Sequence, residues 1–291
     1  MDVDLHHPAS VADAVALAAR LGESARFVAG GTDLVIQMAR GRAAPAHLID
    51  ITRLPGLDGI VAGGDAIVIG ALTTHKSIER HPPFQQGLIA LVEAARVIGG
   101  HQVRNIATVG GNIVNASPAA DLVPALLVLD AEAILVSEAG ERTVALDGFL
   151  IGPGRSDRRT GELLRAVRFA RPAPFSATAF LKAGRRKAME ISVVCAAASL
   201  TLDPASGRCV RARIAAGAVG PRTLRFERAE QLLEGQVPTP ALLQAAAGAA
   251  AESCRPIDDV RASAAFRRSL VQTLVGRTLA ACLDRIPGAH P

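Results

Sequence analysis

The chain has no tryptophan and no tyrosine, and eight phenylalanines are its whole stock of large aromatic side chains. Platforms that stack nucleic-acid bases depend on aromatic faces, so the composition argues against that class of partner. Cysteine is scarce as well: Cys195, Cys209, Cys254 and Cys282 lie far apart, with no C-x-x-C pair. Iron–sulfur and zinc sites draw on clustered thiolates, and the expectation is four buried free thiols in a reducing compartment. No apolar run approaches the roughly 18–20 residues of a membrane span. The opening residues 1–7 are polar and acidic, which makes a cytoplasmic location the expectation.

Familiar chemical signatures are missing too. Gly152-Pro153-Gly154 continues as Arg155-Ser156-Asp157, and its proline spoils a dinucleotide-binding G-x-G-x-x-G turn. There is no P-loop. The seven histidines never fall in H-E-x-x-H or a metal-like cluster; His6, His7 and His81 read as surface residues and His101 as a loop residue. No Ser-His-Asp set can be argued from chain order. With neither a metal site nor a catalytic side chain in view, the chemistry is expected to belong to a bound cofactor.

What is present starts with bulk. With 291 residues, 49% of them apolar, the chain supports two or three packed units. The net charge of +5 comes from scattered arginines, with local clusters at residues 155–159 and 182–187. A cluster of this kind is either a solvated surface or a docking face for an acidic partner.

Two glycine-rich segments carry more information. Val28-Ala29-Gly30-Gly31-Thr32-Asp33-Leu34 and Thr108-Val109-Gly110-Gly111-Asn112 each follow an apolar run that reads as a strand. A Gly-Gly pair lacks both Cβ atoms and admits positive φ, so successive N–H groups can point into one concavity. Two such turns, each followed by small polar side chains, predict one extended anionic ligand gripped from both sides, a dinucleotide diphosphate above all.

The remaining pattern predicts an α+β protein. Ser10 caps a helix over 11–21 that Gly22 closes; 26–29 and 48–51 read as strands around a helix at 32–40, a small parallel sheet. The first glycine turn then sits where strand hands over to helix, so free amides and the helix dipole face the same ligand. A second unit has strands at 66–71, 133–136, 143–146 and 163–169 in a mixed or antiparallel sheet, with helices at 74–81, 84–98 and 121–129. A third has strands at 179–182, 191–202 and 210–218, a hairpin turn at 203–207, and helices at 225–233, 240–253 and 262–283. The expected domains are 1–54, 55–175 and 176–291.

The pair Ala29-Gly30-Gly31-Thr32-Asp33-Leu34 and TVGGNIVNASPAAD (108–121) closely resembles the FAD-binding medium subunit of the molybdenum hydroxylases. That family includes xanthine dehydrogenase, carbon monoxide dehydrogenase and aryl or N-heterocycle hydroxylases. The likeness continues through Met38, 48–51, 99–105, 149–154, 182–192 and 255–261, nearly the whole chain in the family's order. It implies an α+β, PCMH-like FAD-binding fold of two α/β subdomains, followed by a C-terminal domain with an antiparallel sheet and helices.

The resemblance further implies that residues 28–34, with Gly110, Gly111 and Asn112, grip the FAD diphosphate while the flavin lies between the first two domains. Asp121 matches an acceptor for ribose hydroxyls, with a helix N-cap as its other reading. Leu164 matches a backbone contact to adenine, or else is core. Lys182 matches a lysine near the flavin, where a cation favours the anionic reduced ring, or else is a surface lysine. Ile98 stands where some relatives stack an aromatic on the isoalloxazine. Thr108 and Ser117 offer hydroxyls. The implied partners are a large molybdopterin subunit and a small subunit with two [2Fe–2S] clusters, in a dimer of heterotrimers, with NAD⁺ or O₂ as possible acceptor. Relatives with a [4Fe–4S] loop in this subunit are not matched, since no four-cysteine loop lies between Asp121 and Phe149. The alternative is a self-contained flavin oxidase, whose larger substrate domain and flavin tether are not evident.

Overall fold

The computed structural model describes residues 3–186 and 188–288. Lys187, the last member of the second basic cluster, lies outside them, as do both ends of the expected domains. Near the N-terminus, β1 (Asp4–His6), α1 (Val11–Leu21), β2 (Ala25–Val28), α2 (Leu34–Ala39) and β3 (His47–Asp50) form a three-stranded parallel sheet in the order β1-β3-β2. Ser10 caps α1, its hydroxyl accepting from the Asp13 N–H at 3.0 Å, and Gly22 ends the helix at φ +59°. Strand β1 carries no sequence signal, being three polar-rich residues. The core under α1 takes Ala14, Val15, Ile49 and Ile51 from this layer and borrows Leu57, Leu72 and Leu163 from the next.

The next layer is an antiparallel sheet, β4-β5-β10-β6-β7, made from Ile60–Gly63 (β4), Ala66–Gly70 (β5), Glu132–Ser137 (β6), Gly140–Ala145 (β7) and Leu163–Ala170 (β10). Between β5 and β6 run α3 (His75–Arg80), α4 (Ile89–Arg96), α5 (His101–Ile106), α6 (Val109–Val114) and α7 (Leu122–Leu127); α8 (Leu146–Phe149) and the small hairpin β8 (Leu150–Gly152) and β9 (Arg155–Ser156) follow β7. The helix expected over 84–98 is shorter. Pro82 and Pro83 set a 3₁₀ turn, Gly87 turns at φ +83°, and α4 begins only at Ile89.

The strand expected before the second glycine pair is not formed. Ile106 ends α5, Thr108 makes only an isolated bridge to Thr74, and its hydroxyl caps α6 by accepting from the Gly111 N–H at 3.1 Å. The glycines therefore lie in a helix's first turn. The Gly152-Pro153-Gly154 loop is the turn of the β8–β9 hairpin.

The third sheet, β11-β12-β13-β14 (Ser176–Ala183, Val194–Leu202, Cys209–Gly217 and Leu224–Arg225), is antiparallel and buried on both faces. Along β12, Val194, Ala196, Ala198 and Leu200 face α9 (Glu227–Leu233), α10 (Pro240–Ser253) and α11 (Ala264–Arg285), while Cys195 and Ala197 face the second unit's core. Period-2 alternation with both sides covered is why this strand reads as one continuous apolar run. All four cysteines are buried and free.

Candidate functional site

An open cleft of about 1020 Å³ runs between the first sheet and the helices of the second unit. Residues 28–34, Ile98, Thr108, Gly110, Gly111, Asn112 and Leu164 line it; Ser117, Asp121 and Lys182 do not. The first glycine loop forms the strand-to-helix handover: β2 stops at Val28 and α2 starts at Leu34. Among the described residues, none of the six backbone N–H groups from Ala29 to Leu34 has a hydrogen-bond partner, although Gly31 O accepts from Val35 N–H at 3.1 Å. Unpaired donors at a helix start are ready for an anion.

Each glycine of this pair has its own reason. Gly31 sits at φ +67°, where an L side chain is strained. At Gly30 a Cβ would stand 1.9 Å from the Ile106 carbonyl oxygen, so here the first unit's backbone lies directly on the α5–α6 junction.

The second glycine segment does not form a matching hollow, which corrects the expectation of two backbone grips. Its donors are spent inside the protein: Val109 N–H on Thr73 O at 2.9 Å, Gly110 N–H on Ala71 O at 2.8 Å, Gly111 N–H on Thr108 Oγ1 at 3.1 Å and Asn112 N–H on Thr108 O at 3.0 Å. Gly110 is glycine because a Cβ would meet Ala71 Cβ at 2.7 Å. What this wall offers instead is side-chain polarity. Asn112 Oδ1 and His75 Nδ1 line the cleft and are buried with no partner. Burial, with Arg104 nearby, lowers His75 to a pKa of about 4, so the ring is neutral at pH 7.

Arg104 is itself buried and fixes this wall. Its guanidinium donates to the Ile98 carbonyl at 3.1 Å and to Glu79 at 3.2 Å, holding Ile98 at the cleft. Leu164 is buried in β10, where its side chain also belongs to the core.

Asp121 and Lys182 form a separate buried group. Lys182 Nζ donates to Asp121 Oδ2 at 2.7 Å, to Glu190 O at 2.9 Å and to Val97 O at 3.2 Å; Ser192 Oγ donates to the other Asp121 oxygen. Burial raises the Asp121 pKa against the opposing pull of Lys182 and Ser192. Asp121 occupies the N-cap position of α7, but its side chain makes no capping bond. Lys182 is not a surface lysine. Together the pair ties β11 to the α6–α7 turn. Ser117 Oγ accepts from Ala119 N–H at 3.3 Å in a local turn.

The sequence reading missed four basic residues on the cleft: Arg26, Arg42, Arg155 and Arg158. Their positive charge complements an anionic ligand. Only the run at 155–159 gives any signal in the sequence, and there a solvated surface is the favoured reading.

Comparison with known proteins covers nearly the whole chain. Residues 1–172 match a family described as the FAD-binding domain in molybdopterin dehydrogenase, and residues 179–282 match the CO dehydrogenase flavoprotein C-terminal domain. The carbon monoxide dehydrogenase medium chain of Hydrogenophaga pseudoflava is 34% identical over 282 residues, 97% of each chain. The 6-hydroxypseudooxynicotine dehydrogenase complex subunit alpha of Paenarthrobacter nicotinovorans is 37% identical over 279 residues, 94% of each. A solved carbon monoxide dehydrogenase from H. pseudoflava superposes with a TM-score of 0.94 at 35% identity, covering 98% of this chain and 99% of that one.

Proposed function

The chain belongs to the family of FAD-binding medium subunits of the molybdopterin hydroxylases, and we propose that it carries FAD in the cleft and serves as the electron-transfer subunit of a heterotrimeric molybdenum hydroxylase. The observation that carries this reading is the unbroken run of six unpartnered N–H groups at residues 29–34, all of which line a cleft that four arginines also line. Hydrogen bonds to a charged group contribute on the order of 1.5–3 kcal/mol each. Several together offset the desolvation of a diphosphate, which a single bond does not.

FAD supplies a carrier that takes electrons singly and gives them up in pairs. The chain's own residues bind and orient it. The loop at 29–34 holds the diphosphate, Asn112 and His75 present polar atoms from the opposite wall, and Ile98 and Leu164 exclude water. We place Asp121 and Lys182 behind the site, where they hold Val97 and with it Ile98. No cleft side chain is assigned a proton-transfer role. The subunit would receive electrons from a small partner with two [2Fe–2S] clusters, and a large molybdopterin partner would hydroxylate the substrate. NAD⁺, O₂ or another carrier would be the acceptor, and the assembly a dimer of heterotrimers. Apolar side chains exposed on two loops, Met189, Ile191, Ile257 and Val260, support a partner-covered surface, and Arg185 ties these loops through the Val260 carbonyl. The four buried thiols fit a reducing, cytoplasmic setting.

Purification from the native host tests the reading. The expected result is co-elution with a molybdenum subunit and an iron–sulfur subunit, with one noncovalent FAD per copy of this chain. A chain that elutes alone and oxidises a substrate directly would establish the self-contained oxidase instead.

A further inference from the structure

We propose that Asp4, His6 and His47 form a binding site for one divalent late-transition-metal ion, zinc being the best fit, on the outer edge of the first sheet. The residues come together through the parallel β1–β3 pairing. Asp4 lies opposite His47 in register, and Asp4 and His6, two apart on one strand, share a face. His6 Nε2 stands 3.2 Å from His47 Nδ1, Asp4 Oδ2 stands 3.3 Å from that same nitrogen, and the three ligand atoms all lie within 4.8 Å of one another.

Two of the three spacings, those from His47 Nδ1 to His6 Nε2 and to Asp4 Oδ2, match what a metal imposes. Zinc–nitrogen bonds of about 2.0–2.1 Å at tetrahedral angles separate neighbouring ligand atoms by roughly 3.3–3.4 Å. No single protonation state turns both short contacts into hydrogen bonds. A ring nitrogen has one in-plane direction, filled by either a proton or a lone pair. If Nδ1 of His47 carries a proton, that proton serves Asp4 or His6 but not both. If Nδ1 carries its lone pair and accepts from His6, that lone pair also faces the Asp4 carboxylate. A cation among the three atoms satisfies both contacts.

Two imidazoles and one carboxylate suit zinc, copper or nickel and not magnesium or calcium, which take oxygen ligands. The neighbouring His7 turns the other way, to Asp50 at 3.3 Å. None of the three ligands lines the cleft, so this site is independent of FAD binding. Its effect would be to clip the three-residue edge strand β1 onto β3. His47 lies 41 residues from His6 in sequence, so no linear spacing announces the set.

The test uses the full-length, tag-free protein stripped with a chelator and titrated with zinc alone by calorimetry, then with Co²⁺ for its visible ligand-field bands. One saturable equivalent, tetrahedral cobalt bands and a zinc-dependent rise in Tm are expected. His6→Gln and His47→Gln should each weaken binding by more than the roughly 10–100-fold that loss of an outer-shell partner costs. Asp4→Asn should weaken it less, and the exposed His101→Ala should leave it unchanged. Circular dichroism and flavin content of each variant establish that it is folded. Absence of saturable zinc binding to the wild-type protein, or binding that survives His6→Gln in the folded protein, would overturn the proposal.

Discussion

Replacing Gly30 with alanine probes the feature that joins the first unit to the second. The new Cβ would lie 1.9 Å from Ile106 O and 2.6 Å from Ile106 C, both backbone atoms that no rotamer change can move. Restoring an ordinary contact of 3.4 Å from 1.9 Å requires the loop and the α5–α6 junction to separate by about 1.5 Å. Overpacking of this kind costs typically 1–3 kcal/mol. The larger consequence is geometric, because the displaced loop carries the six free N–H groups. Losing even one charge-assisted hydrogen bond, on the order of 1.5–3 kcal/mol, weakens flavin binding about 10- to 100-fold. The assay is flavin absorbance per protein after gel filtration, with Tm measured on the same sample.

Gly111→Ala is the control. Its Cβ meets only Thr108 Oγ1, at 3.1 Å, and its N–H is already used by that hydroxyl, so retention close to wild type is expected. Full flavin occupancy and an unchanged Tm in Gly30→Ala would refute the reasoning, as would flavin loss in Gly111→Ala equal to that in Gly30→Ala.

Two further outcomes follow from the buried polar groups. Lys182→Ala leaves the Asp121 carboxylate buried without its cation and should destabilise the fold by about 3–5 kcal/mol in denaturant unfolding. The double variant with Asp121→Ala should recover much of that loss, and equal stability of the two would remove the ion pair from the account. His75, lowered from an ordinary 6.5 to about 4, binds a proton in the unfolded chain before it does so in the folded one. Stability should therefore fall as pH drops from about 6.5 to 4, by up to roughly 3 kcal/mol. A pH series of unfolding curves in which His75→Gln keeps the same slope would contradict this.

Legibility in the sequence followed the range of the interactions. Ser10 before the helix at 11–21 and the Asp203–Gly207 turn are local devices that form as read, and α10 has the predicted bounds. The first glycine loop was legible too, because a strand, two glycines and a helix start are contiguous in the chain. The second was misread. Val109 looks strand-like by side chain, but Thr108 caps α6 and the Gly110 amide is claimed by Ala71, in the turn just past the end of β5.

By itself, then, the sequence determined the alternation of strands and helices, the α+β class and the loop whose amides stay free, since each depends on residues within a turn or two of one another. Tertiary structure alone decided that Gly30 must be glycine, that Lys182 answers Asp121 in the interior, and that His6 meets His47. Those outcomes depend on which backbones and side chains are brought within 4 Å after segments tens of residues apart have packed, and no local propensity encodes that distance.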